Sequence, residues 1–182
     1  MKQPDLAVMV KSRAQEFPAP KKRTYLGIAP EAVAQAAAEA EVFGYEVEIA
    51  ALLNGIWPQR YVRNKESFSA QDQVALLQSH VMVVGLGGLG GLLVSLLARM
   101  GVGRLTLLDF DAFDPTNLNR QMLSNMAVLG KSKAQTALEY VSSVNPSVKV
   151  EIFERPFDDD PENLTLIENK TICADCLDNL KT

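Results

Sequence analysis

The sequence predicts an α/β fold, a doubly wound and mainly parallel sheet preceded by a helical extension. Three observations predict it. The apolar runs 81–84 and 105–108 are continuous rather than alternating, as strands covered on both faces require. A glycine-rich turn and a helical stretch join the two runs. Strand-like and helix-like segments then keep alternating through residue 174.

Each element has a local reason. Residues 1–28 are polar, and Pro18 and Pro20 break any helix through them. Pro30 suits a helix first turn, and Val33, Ala36, Ala37, Ala40 and Phe43 recur at helical spacing. Gly44 interrupts, and a second helix is expected from Tyr45 to Asn54, ended by Gly55 and Pro58. These two make a small helical hairpin, taken as an extension over residues 1–59. Ala70 to Leu77 also reads as helical. The apolar run at 81–84 is the first strand of the main domain, expected over 60–182. A helix from about Leu89 to Met100 follows, stopped by Gly101 and Gly103, and Leu105 to Leu108 is the next strand. A helix over Ser132 to Val144, a strand over Val148 to Phe153, a short helix over Pro161 to Glu168 and a strand over Thr171 to Ala174 complete the pattern.

Composition narrows the function. The chain has 182 residues, 47% apolar and 22% charged, which is globular composition. Lys and Arg total 18 against 22 Asp and Glu, with the acidic excess in the second half, so a nucleic-acid partner is not expected. The stretch from Ala29 to Trp57 contains Glu31, Glu39, Glu41, Glu46 and Glu48, so it does not read as a membrane span. No apolar signal core follows Lys2, and there are only two cysteines, so a cytoplasmic setting is expected. Cys173 and Cys176 form one C-x-x-C, which cannot close a four-ligand zinc site, and His80 is the lone histidine.

The chemistry concentrates after the first strand. Gly85-Leu86-Gly87-Gly88-Leu89-Gly90 fits G-x-G-x-x-G between a strand and a helix, the Rossmann-like arrangement. Gly85, Gly87, Gly88 and Gly90 permit a tight turn and a close approach of backbone to phosphate, and the helix N-terminus offers unpaired N–H groups. Asp109, at the tip of the second strand, is placed to accept hydrogen bonds from ribose hydroxyls. Taken alone, these residues predict a nucleotide at the carboxyl edge of the sheet and favour a dinucleotide. The cluster from Asn117 to Gln121 discriminates, because a nicotinamide enzyme has no need of it there. Arg120 can pair with polyphosphate oxygens, Asn117 and Gln121 can fix their geometry, and Lys133 can reach the same phosphates. Gly130-Lys131-Ser132 is not a P-loop, since Asn125 stands where that motif needs glycine. Asp178 and Asn179 follow the last strand, where Asp178 is a candidate Mg²⁺ ligand supported by Asp175.

Five segments in order resemble the ThiF/MoeB/HesA family of the ubiquitin-activating-enzyme superfamily. They are the glycine loop 85–90, Leu-Asp-Phe-Asp at 108–111, Asn-Leu-Asn-Arg-Gln at 117–121, Gly-Lys-Ser-Lys at 130–133 and Asp-Cys-Leu-Asp-Asn at 175–179. Arg60-Tyr61-Val62-Arg63 resembles the R-Y-x-R with which those domains begin. The resemblance implies ATP- and Mg²⁺-dependent adenylation of the C-terminal glycine of a small ubiquitin-like or sulfur-carrier protein ending in Gly-Gly. It implies that Gly88 contacts the nucleotide and Asp109 the ribose. Asn117, Arg120, Gln121 and Lys133 would hold the phosphates, and Asp178, with Asn179 nearby, the metal. It also implies a homodimer in which Arg63 reaches the partner subunit's ATP. By the same resemblance the C-x-x-C is accidental. The family's second half, with its partner groove and often a zinc site, would lie beyond Thr182, so the chain is expected to be a truncated form. Zinc is expected only in that part. Alternatives are a tRNA-modifying dehydratase of the same superfamily, a NAD-dependent oxidoreductase that would leave Arg120, Lys133 and Asp178 idle, and a non-catalytic scaffold.

Overall fold

The structure is a computed structural model that describes residues 5–19, 23–158 and 160–178. The chain divides into two compact units, Met1–Gln78 and Ser79–Thr182.

The first unit opens with α1 (Leu6–Arg13), whose N-terminus is closed by Asp5 Oδ1 accepting from the Ala7 N–H at 2.9 Å. The strands β1 (Gln15–Ala19) and β2 (Arg23–Ile28) form an antiparallel hairpin, with Gln15 opposite Gly27 and Ala19 opposite Arg23. Helices α2 (Pro30–Ala40) and α3 (Gly44–Leu53) follow, with Pro30 in the first turn as expected. The short β3 (Trp57–Pro58) pairs in parallel with the end of β2, and a 3-10 turn over Gln59–Glu66 leads to α4 (Ala70–Gln78). Val10, Ile28, Val33, Ala36, Val47, Ala51 and Ile56 make one buried cluster. Leu52, Trp57, Tyr61, Val74 and Leu77 make another.

The extension is therefore helical but also carries α1 and a three-stranded sheet that the sequence reading missed. Pro18 is accommodated because β1 is an edge strand of that sheet. Residues 60–78 pack within the first unit. The physical reason is Tyr61, 1% exposed, which joins Trp57, Val74 and Leu77, and whose hydroxyl donates to Glu48 Oε2 at 3.1 Å. Glu48 is fully buried and also pairs with Arg60 Nε at 3.0 Å. A carboxylate taken wholly out of water holds such partners tightly, since removing one leaves an uncompensated buried charge, a loss of about 3–5 kcal/mol.

The second unit is a four-stranded, all-parallel sheet in the order β6-β5-β4-β7, built from β4 (His80–Val84), β5 (Arg104–Leu108), β6 (Lys149–Phe153) and β7 (Ile172–Asp175). The connecting helices are α5 (Gly88–Met100), α6 (Lys133–Val144) and α7 (Pro161–Ile167). All five residues of β4 are buried, which accounts for its unbroken apolar run. Met82, Val84 and Leu108 pack with Phe153, Phe157, Leu166 and Leu177. Tyr140 of α6 bonds Ser95 of α5 at 2.8 Å, and Asn145 Nδ2 donates to the Ala98 carbonyl at 2.9 Å, fixing the two helices together. After β6 the chain returns to the far side of β4, so the winding reverses between β4 and β7. Ligands of open α/β sheets bind at the carboxyl ends of strands beside such a reversal.

Candidate functional site

A cleft of about 450 Å³ opens at the carboxyl ends of β4, β5 and β7. The glycine turn after β4 forms one wall. Gly85 has φ 87°, and a Cβ there would lie 2.9 Å from the Cys176 carbonyl oxygen. A Cβ on Gly90 would lie 1.8 Å from the Gly85 carbonyl oxygen. These two glycines are required by the turn's own packing. Gly87 and Gly88 are different, because the nearest atoms to an added Cβ are at ordinary distances of 3.7 and 3.6 Å. Packing within the chain does not demand glycine at either position, and both line the cleft. The first N–H groups of α5 have no partner within the helix and are available to an anion.

Asp109 is 7% exposed and ties the second strand to that turn. Its Oδ2 accepts from the Leu86 N–H at 2.6 Å and its Oδ1 from the Asp111 N–H at 2.8 Å. Each oxygen keeps acceptor capacity, so the carboxylate can still receive a hydroxyl from the cleft it lines. Lys133, at the start of α6, is buried and holds Asp111 Oδ2 at 2.9 Å. The pair Lys133–Asp111 spans 22 residues, and Asp111 was given no role by the sequence reading although the Asp-x-Asp at the end of a buried strand marked it. Phe110, 63% exposed, lines the cleft as well and was also missed.

Arg120 lines the cleft, with its guanidinium donating to the Thr116 carbonyl at 2.8 Å and to Asn119 Oδ1 at 3.2 Å. Gln121 is 7% exposed, and its Oε1 is buried with no hydrogen-bond partner, an orphaned polar atom at the cleft wall. Asn117 is brought near in sequence but is not among the residues lining the cleft. Its Oδ1 accepts from the Asp114 N–H at 3.1 Å, so the amide caps the short turn Pro115–Asn117 that carries Arg120 and Gln121 forward. Asp114 is held below the usual carboxylate range by the Thr116 hydroxyl and then the Thr116 N–H.

After β7, Asp178 lines the cleft and is exposed, while Asp175 Oδ1 accepts from the Leu177 N–H at 3.0 Å. Asn179 lies outside the described residues. Among the described residues no group of three or more metal-ligating side chains occurs. A divalent ion bound here would take Asp178 and fill its remaining positions with water and phosphate oxygens, a donor set that suits Mg²⁺. Both thiols of the C-x-x-C are free, and burial, then the negative charge of Asp175, pushes each above the ordinary thiol range. Such thiols are poor nucleophiles. Arg63 belongs to the first unit and lines a different hollow there.

The ThiF family pattern matches residues 61–182. The chain belongs to the ThiF family. Over 113 residues it is 40% identical to a molybdopterin-synthase adenylyltransferase of Salmonella typhimurium, covering 62% of this chain and 45% of that protein. It is 32% identical over 126 residues to a tRNA threonylcarbamoyladenosine dehydratase of Haemophilus influenzae, covering 69% and 48%. Among solved structures it resembles the E. coli tRNA N6-threonylcarbamoyladenosine dehydratase in complex with ATP. The TM-score there is 0.64 at 27% identity, over 66% of this chain and 50% of that one. This ThiF-family chain thus spans about half the length of the curated relatives it matches. No helix among its described residues is long and apolar enough to cross a membrane.

Proposed function

We propose that this ThiF-family chain binds ATP with Mg²⁺ in the β4/β5/β7 cleft and takes part in adenylating the C-terminal glycine of a small ubiquitin-like or sulfur-carrier protein, as a homodimer in the cytoplasm. The observation that carries this reading is the convergence of the glycine turn, Lys133, Arg120 and Asp178 on one cleft. The adenylyltransferase relatives and the ATP complex of a structural neighbour support it.

In that reaction the carboxylate oxygen attacks the α-phosphorus, an O–P bond forms, the α–β bridging bond breaks and pyrophosphate leaves. A carboxylate needs no general base, so rate comes from positioning and from neutralising charge as it develops. The free N–H groups of α5 and the Lys133 ammonium serve the phosphates. Asp109 serves the ribose, and Arg120 must turn from the Thr116 carbonyl toward the leaving group. The cleft lining holds Asp109, Asp111 and Asp178 against Arg120 and Lys133, so it carries one more negative than positive group. A polyphosphate there needs added positive charge. Asp178 would hold the Mg²⁺ that supplies part of it, and Arg63 of a second subunit would supply more.

The relationship to tRNA dehydratases favours the same nucleotide in the same cleft with a different acceptor, and the acidic balance of the second half weighs against an RNA partner. Calorimetric titration with ATP·Mg²⁺ and with NAD tests the nucleotide, and tighter NAD binding would sink the adenylation reading. Pyrophosphate–ATP exchange with a Gly-Gly-ended carrier protein tests the chemistry. Asp178→Ala should abolish exchange while leaving the melting temperature unchanged.

A further inference from the structure

Within the first unit, a second hollow of about 370 Å³ lies between the β1–β2 hairpin and the 3-10 turn Gln59–Glu66. Arg23 enters it from the start of β2, and Arg63 and Lys65 enter it from the turn. Glu66 is the one carboxylate among its described lining residues, and among the described residues none of the three cations makes an ion pair. Lys65 Nζ instead sits 5.5 Å over the Trp57 ring. Tyr25, stacked on Phe17 with centroids 5.7 Å apart, adds an aromatic wall.

The cations come from segments forty residues apart, so they are not one solvated run. Both segments are fixed to the same frame. Gly27 pairs with Trp57 and Ile28 with Pro58, joining the hairpin to the strand that feeds the turn. Glu48 grips the turn itself through Arg60 and Tyr61. Three cations gathered in a hollow with one carboxylate, Glu66, keep a net positive charge and repel one another, and an anion bridging them relieves that repulsion. Two guanidiniums favour an oxyanion with several acceptor oxygens, and three charges fit a chain of phosphates better than one carboxylate.

The geometry points to an oligophosphate-binding site formed by Arg23, Arg63 and Lys65, in which the N-terminal extension contributes Arg23. The phosphates are either those of a free oligophosphate or those of the nucleotide held by a second copy of this chain. The second source rests on the function proposed above; the site itself does not.

Inorganic tripolyphosphate is titrated calorimetrically into the full chain carrying Arg120→Ala and Lys133→Ala, so that contacts in the β5 cleft are removed. One site per chain is expected, weakening as salt rises. Arg23→Gln should weaken it about fivefold without a change in melting temperature, and Lys65→Gln should add a similar loss. No binding in the cleft-silenced chain, or an affinity indifferent to Arg23→Gln and Lys65→Gln, overturns the site. Sedimentation of the otherwise unaltered chain separates the sources. A dimer promoted by ATP and weakened by Arg23→Gln assigns the phosphates to a second copy's nucleotide, whereas binding without dimerisation assigns them to a free oligophosphate. Loss of pyrophosphate exchange would refute the adenylation reading and leave the calorimetric result standing.

Discussion

Lys133 Nζ lies 2.9 Å from Asp111 Oδ2, so the buried cation of the cleft is engaged by a carboxylate of its own chain. Asp111 is half exposed and Lys133 nearly buried, so a phosphate entering the cleft competes with Asp111 for the ammonium. The two residues should therefore affect anion binding in opposite directions. Lys133→Ala is expected to weaken inorganic pyrophosphate binding about ten- to a hundredfold, the loss of one charge-assisted hydrogen bond. Asp111→Asn is expected to tighten it. Calorimetry on both variants decides, and a loss in both would mean that Asp111 orients the lysine rather than competing for it.

The glycine turn separates packing from ligand demand. Gly90→Ala must push a methyl group into the Gly85 carbonyl and should destabilise the protein by about 2–3 kcal/mol in urea unfolding. Gly88→Ala meets no such obstacle at the first position of α5, and better helix propensity should hold or raise stability by up to about 1 kcal/mol. Its expected cost is in nucleotide affinity, read by ATP titration. Equal ATP affinity in Gly88→Ala and the parent chain would place the phosphates elsewhere.

The second unit was legible in the sequence because its central strands β4 and β5 are buried on both faces and the turn after β4 needs glycine, so both leave marks in composition. The β1–β2 hairpin left none. β1 is mostly exposed, carries Pro18 and has no alternation of apolar and polar residues, so no period of two could be seen. Asn117 and Gln121 looked alike in sequence, and only the fold turns one amide into a turn cap and leaves the other with an orphaned oxygen in the cleft wall. The Lys133–Asp111 and Glu48–Arg60 pairs join residues brought together by topology, which local pattern cannot encode.

Arg63 supplies a test of assembly. If each subunit of a homodimer lends this arginine to the other's ATP, the exchange is reciprocal across a two-fold axis. Arg63→Ala and Arg120→Ala should each be inactive alone and regain activity when mixed, because the heterodimer contains one complete site. Pyrophosphate exchange measures the recovery. With subunit exchange verified and no activity regained, Arg63 acts within its own chain or not at all.

His80 gives the second unit a pH dependence of its own. It is buried against Thr106, with its Nε2 2.8 Å from Oγ1, and burial, then the charges of Lys170 and Arg104, lowers its pKa from 6.5 to about 4. Lys149 adds to the depression and Glu151 opposes it. The unfolded chain therefore takes up a proton at a higher pH than the folded one. This contribution to stability is complete above pH 6.5 and is lost as the pH falls from 6.5 toward 4. Urea unfolding at pH 7 and pH 5 should show the decline, and His80→Gln should flatten it.

The grip of Glu48 on Arg60 and Tyr61 bears on how this chain can be dissected. Family membership registers from residue 61, yet a protein trimmed to that boundary would lose the carboxylate that Tyr61 binds and the Leu52 and Trp57 side chains that cover Val74 and Leu77. The turn that carries Arg63 is not a detachable linker. Transplanting Arg63 onto another ThiF-family unit means carrying α3 along with it.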